Sequence, residues 1–168
     1  MKIRHIIHCS MLALGALGAG IGYAEEPTFA TKNLTPEAAL AATQAALENC
    51  RDQGYQVAVA VTDRNGTPIA LLRDRYAGAH TPETASRKAY TAASFNMDTI
   101  SLAQATEAGE AASGIRQVTQ VLALGGGLPI SAAGALVGAI GVSGAPGGEA
   151  DAACAQAGID VIQDDLDF

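Results

Sequence analysis

Residues 124–151, LGGGLPISAAGALVGAIGVSGAPGGEAD, constrain this chain more than any other stretch. Glycine fills nine of the 28 positions. Two apolar pieces, residues 128–130 and 135–142, stand between the glycines, and a helix-like segment follows at once. Glycine admits backbone conformations and close approaches that a Cβ forbids. Spaced around short β-type runs, it specifies backbone shape. The segment reads as tightly folded sheet whose last turn lies close to a helix start.

The same glycines imitate catalytic motifs without completing them. Gly141-Val142-Ser143-Gly144-Ala145 stops one residue short of the G-x-S-x-G nucleophile elbow, and no histidine follows it. A phosphate cradle would want a Lys-Ser/Thr pair after the loop. Here the helix opens on Glu149 and Asp151, which repel an anion. A structural turn accounts for the motif better than either chemistry.

The N-terminus reads separately. Lys2 and Arg4 precede an apolar run at residues 11–21, and Gly22 and Ala24 are small residues ahead of Glu25. This is the pattern of a secretory signal peptide, residues 1–24, cleaved after Ala24. The run is too short and glycine-rich for a bilayer span. Residues 25–33 form a polar leader and residues 34–168 a single domain. Loss of Lys2 and Arg4 takes the formal charge from −7 to −9. A chain this acidic is a poor partner for nucleic acid or an anionic membrane surface, so neither is expected. Export makes the protein periplasmic or secreted, where cysteines can pair. Cys50 and Cys154 then either bridge the two ends of the domain or stay as buried thiols, and their Cα separation decides which.

Along the domain, Thr35 as N-cap and Pro36 at the first helical position open a helix. Leu40, Ala41, Gln44, Leu47 and Cys50 mark its apolar face, and Gly54 stops it. Residues 56–62 (QVAVAVT) alternate as a strand, Asn65-Gly66 turns the chain, and residues 68–72 return. Pro82 begins a second helix through about Phe95, with Ala85, Lys88, Ala89, Ala92 and Phe95 on one side. One or two helical turns follow within residues 97–109. Strands are expected at 117–124, 128–130 and 135–142. A last helix covers 149–157 and ends at Gly158, before a frayed acidic tail. Short turns between strands and grouped helices predict an antiparallel α+β domain.

Little metal chemistry is available. After export His80 is the sole histidine, so a closed zinc site of histidines and cysteines cannot be assembled in one subunit without carboxylates. His80 nevertheless lies in a loop, where side chains face pockets. Arg73, Arg75, Arg87 and Lys88 flank it, a basic cluster suited to ligand carboxylates such as haem propionates. No general acid–base pair stands at a recognisable spacing, so binding ranks ahead of catalysis.

Three separated motifs carry a family likeness: residues 58–63 (AVAVTD) with Asn65-Gly66, residues 85–95 (ASRKAYTAASF), and residues 125–130 (GGGLPI) followed by 138–144 (GAIGVSG) and Asp151. In these the chain resembles the GlcG/HbpS family over residues 34–162. That domain also stands at the C-terminus of PduO-type corrinoid adenosyltransferases. The resemblance implies a PAS/profilin-like fold with a five-stranded antiparallel sheet, homo-oligomers, and haem as cofactor for exported members. It does not carry over the residue that ligates iron. His80 is chosen on chemistry, because imidazole is the usual axial ligand, with Met97 and Tyr90 as the other donors nearby. Arg87 or Lys88 would meet a propionate. The expected function is an exported haem-binding protein in haem or iron handling or redox sensing. The alternative is a non-haem binding or sensory module for a small organic acid.

Overall fold

The structure is a computed structural model that describes residues 27–166, and the described residues from Thr31 onward form one compact unit. The expected signal peptide, Glu25, Glu26, Asp167 and Phe168 lie outside the described residues.

The chain runs α1 (Pro36–Asp52), β1 (Ala58–Asp63), β2 (Pro68–Arg73), α2 (Thr81–Phe95), α3 (Thr99–Ala105), a 3-10 turn (Ser113–Gln117), β3 (Gly127–Ala132), β4 (Ala135–Ser143) and α4 (Gly148–Leu166). The four strands make one antiparallel sheet in the order β2-β1-β4-β3. The expected α+β class holds. Among the described residues, no helix is long and apolar enough to cross a membrane.

Both faces of the sheet are covered, and β1 shows how. Its alternation does not separate core from solvent, because residues 58–62 are all buried. It separates a bulky face from a thin one. Val59 and Val61 pair with Val142 and Ile140 of β4 and join the core shared with α1 and α4. Ala58 and Ala60 pair with Ser143 and Gly141 on the opposite face, where Ala85 of α2 packs. The small residues let α2 lie at backbone distance from the sheet. A Cβ on Gly141 would stand 2.2 Å from the Ala85 carbonyl oxygen.

α1 begins as expected, with Thr35 Oγ1 accepting from Ala38 N at 3.2 Å. Such a cap contributes about 1 kcal/mol. Its buried face differs from the expected one. Ala39, Ala42, Thr43, Ala46, Leu47 and Cys50 are inside, while Leu40, Ala41 and Gln44 are exposed. The reason lies in α4, which packs so closely that the alanine side of α1 is the one that fits. Gly158 explains the closeness. It does not end α4 but sits within it, and a Cβ there would lie 2.5 Å from Ala42 O. The acids of the expected tail, Asp164 and Asp165, are helical.

A disulfide joins Cys50 of α1 to Cys154 of α4, with Cα atoms 5.5 Å apart. That settles the pairing left open by the sequence.

Residues 117–124 are not a strand, and among the described residues the sheet has four strands where five were expected. Gln120 takes a positive φ of 70°, and the backbone finds partners on α2 instead of on a neighbouring strand. Leu122 N donates to Thr91 Oγ1, and the Arg87 guanidinium donates to the carbonyls of Gln120 and Val121. Apolar residues at 118, 121, 122 and 124 imitate a strand because the segment is half-packed against the body of the domain.

Candidate functional site

β4 ends at Ser143, crosses the glycine loop 144–147 and enters α4. A cleft of about 650 Å³ opens beside this crossing. One wall is the loop itself with the start of α4. Gly54, Tyr55 and Gln56, which lead from α1 into β1, form the second. The third carries Tyr76, Gly78 and His80, where the loop after β2 meets α2.

The floor is an ion pair. Lys88 Nζ lies 2.7 Å from Asp151 Oδ2 and 2.9 Å from the Val142 carbonyl oxygen, and the two side chains are only 2% and 6% exposed. Asp151 Oδ1 accepts from Ala145 N at 2.9 Å, so the same carboxylate shapes the glycine loop. Burial pulls the Lys88 amine below its ordinary range, and the bond and charge of Asp151 oppose this. Burial likewise lifts Asp151, against the pull of Lys88. Burial is the larger influence on each group, and the charge of the partner opposes it.

His80 stands at the rim, exposed, in the position that precedes the first turn of α2. Its carbonyl accepts from Thr84 N and Thr84 Oγ1. Among the described residues no protein group bonds its imidazole. The ring lies over Gly78, where a Cβ would come within 2.7 Å of Cε1.

The structure therefore brings His80 and Lys88 to one cleft and leaves the other named residues outside it. Arg87 and Tyr90 line a separate hollow of about 270 Å³ with Gly66 and Gln120. Met97 lies beyond the end of α2 and borders neither. The basic cluster is not one patch. Arg73 donates to Ala77 O, Arg75 lies near Asp74, and Arg87 holds the carbonyls of residues 120 and 121. Lys88 is sealed against Asp151. Side chains adjacent in sequence diverge here because a strand end and a helix aim them differently.

Ser143 lines the same cleft as His80, and no hydrogen bond joins them. Among the described residues no group of three or more metal-binding side chains occurs.

Sequence reasoning missed Gln56 as a cleft residue and Asp151 as the partner of Lys88. One signal was available. A lysine within the apolar stripe Ala85, Lys88, Ala89, Ala92 has to be matched by a buried acceptor.

An antiparallel α+β domain with a cleft at the end of its sheet defines the class, and comparison with known proteins supplies the family. The family model described as haem degrading protein HbpS-like matches residues 34–160. The chain belongs to this HbpS-like family. A solved structure of HbpS shares 41% identity, covering 81% of this chain and 94% of its own, with a TM-score of 0.77. A double mutant of HbpS from Streptomyces reticuli shares 36% identity over 94% of this chain and 99% of its own, with the same TM-score. A haem complex of PduOC shares 30% identity over 77% of this chain and 95% of its own, with a TM-score of 0.73. No curated protein matches the chain.

Proposed function

We propose that this protein binds haem in the cleft beside the glycine loop, with His80 as the axial ligand of the iron. The observation that carries the reading is an imidazole at a cleft rim whose ring nitrogens have no protein partner among the described residues. A neutral imidazole nitrogen is a ready ligand for haem iron. The cleft volume falls within the usual range for cofactor sites, and Tyr55, Tyr76, Leu124 and Pro146 give it apolar surface. Family membership and the haem bound to the PduOC relative support the choice of ligand. Lys88, already neutralised by Asp151, is a poor propionate partner, so the propionates face the solvent at the mouth. Arg87, turned to the other hollow, does not reach them.

The protein acts in haem or iron handling, or in redox sensing, after export to the periplasm or beyond. The pattern at residues 1–24 supports export. It works as a homo-oligomer. Among the described residues the outer edges of β2 and β3 have no strand neighbour, and native proteins cover such edges. N-terminal sequencing of the secreted form should begin at Glu25, and light scattering should show a mass above one chain.

A second reading has its own observation. Among the described residues, Gln56 Oε1 is buried without a hydrogen-bond partner, and the Ser143 hydroxyl beside the cleft has none either. Unsatisfied acceptors of this kind wait for water or ligand. A small organic acid with a hydroxyl could donate to Gln56 and accept from Ser143.

Haemin titration of residues 25–168, followed by absorbance, tests the first reading. Saturable growth of a Soret band is expected, with the band shifted or lost in His80→Ala. An unchanged band in His80→Ala overturns the ligand assignment, and the absence of saturable binding overturns the function. Thermal shifts with haemin and with hydroxy acids, run side by side, decide between the readings, since only a true ligand raises the midpoint.

A further inference from the structure

We propose that Asp74 is a positioning residue for His80, acting through the loop between β2 and α2. This rests on the reading of His80 as the ligand group of the cleft. The loop has few anchors. Tyr76 is 79% exposed, and Arg75, Gly78, Ala79 and His80 are also exposed. Ala77 is buried, and Asp74 is the buried charged residue, with its side chain 1% exposed.

Its carboxylate is held from both sides. Oδ2 accepts from Arg51 Nε at 2.6 Å, and Oδ1 accepts from Arg51 Nη2 at 3.0 Å and from Arg75 N at 2.7 Å. Its own N–H donates to Val57 O at 2.9 Å, which ties it to the start of β1. Such a two-pronged guanidinium–carboxylate contact fixes orientation as well as distance. Arg51 is itself on firm ground. It lies in the last turn of α1, next to Cys50, whose bridge fastens that turn to α4.

From this anchor the loop is built stepwise toward the imidazole. Ala77 N donates to Asp74 O at 3.2 Å, closing a turn, and the Arg73 guanidinium donates to Ala77 O. Gly78 O then accepts from Thr81 N at 3.0 Å and from Thr81 Oγ1 at 2.8 Å. The His80 ring rests on the Gly78 backbone. Where Gly78 sits, the imidazole follows. An ordinary exposed ion pair contributes little. This one has a buried carboxylate at the root of the loop that presents the ligand group.

A double-mutant cycle on residues 25–168 separates positioning from general stability. Asp74→Asn should raise the haemin dissociation constant about tenfold, as if the competent loop conformation fell to about a tenth of the population. In a His80→Ala background the same substitution should leave the residual affinity unchanged, because the group being positioned is gone. Gly78→Ala displaces the ring while leaving the Arg51–Asp74 contact intact, and should reproduce the loss. The imidazole resonances of His80, followed by NMR without haemin, should shift and broaden in Asp74→Asn. Wild-type affinity in Asp74→Asn overturns the proposal. So does an equal loss in both backgrounds, which would mark a merely structural role. If wild-type protein fails to bind haemin, the haem reading falls. Unchanged His80 resonances in Asp74→Asn would then overturn the positioning claim by itself.

Discussion

Lys88 Nζ stands 2.7 Å from Asp151 Oδ2, two residues 63 apart in sequence meeting beneath the cleft. The pair joins α2 to the first turn of α4, and through Ala145 N it also holds the glycine loop. Neither charge would be tolerable there alone. Lys88→Met should destabilise the domain by about 3–5 kcal/mol, because it strands a buried carboxylate. The double variant Lys88→Met/Asp151→Asn should be less destabilised than Lys88→Met. Urea unfolding of Lys88→Met, Asp151→Asn and the double variant checks this, and a simple sum of the single effects would refute the coupling.

At Gly158 two effects oppose each other. Alanine within a helix is favoured over glycine by about 1 kcal/mol. Its Cβ, however, would stand 2.5 Å from Ala42 O and 2.9 Å from the Ile140 side chain. Overpacking of that kind costs about 1–3 kcal/mol. Gly158→Ala should therefore lower the thermal midpoint by a few degrees, about 2–4 °C per kcal/mol for a domain of this size. Gly141→Ala should be worse, since its Cβ would stand 2.2 Å from Ala85 O and 2.6 Å from Ala89 N, two backbone atoms of α2. Calorimetry of the two variants measures the order, and a raised midpoint in Gly158→Ala would show that α1 and α4 can separate cheaply.

The disulfide closes a sequence separation of 104 residues. Bridges over long loops restrict the unfolded chain most, and loss of a native one costs about 2–5 kcal/mol. The pair Cys50→Ala/Cys154→Ala should unfold at lower denaturant concentration while keeping its far-ultraviolet circular dichroism at neutral pH. Equal unfolding midpoints with and without a dithiol reductant would count against the bridge.

Acid should weaken the anchor at Asp74. The hydrogen bond from Arg51 holds its carboxyl below the usual carboxylate range, and burial opposes this. A carboxyl lowered in the folded state stabilises fully above its unfolded value, about 3.9, and that contribution disappears as pH falls through the lowered folded value. Stability against urea should drop as pH falls below about 4, and Asp74→Asn should flatten that part of the curve. An identical acid limb in the variant would assign the effect to other carboxylates.

Much of the architecture was readable one segment at a time. Thr35 and Pro36 start α1, Asn65-Gly66 turns β1 into β2, and the alternation at 58–61 marks a strand, because each signal acts within a few residues. Segments failed where their partners were distant. Residues 117–124 have strand-like composition, but Arg87 and Thr91 take their backbone groups. Gly158 has the composition of a stop, but the approach of α1 makes it a packing residue.

The candidate site divides in the same way. The sequence by itself determined the family through its glycine-run, helix and hairpin motifs, and it singled out His80 as a loop imidazole. Only the tertiary structure decided that Lys88 and Asp151 neutralise each other, that Arg87 and Tyr90 turn to a different hollow, and that Cys50 meets Cys154. Caps, turns and alternation are energies of neighbouring residues and are written locally. Ion pairs, bridges and clefts depend on which surfaces pack, a property of the whole chain that no short stretch contains.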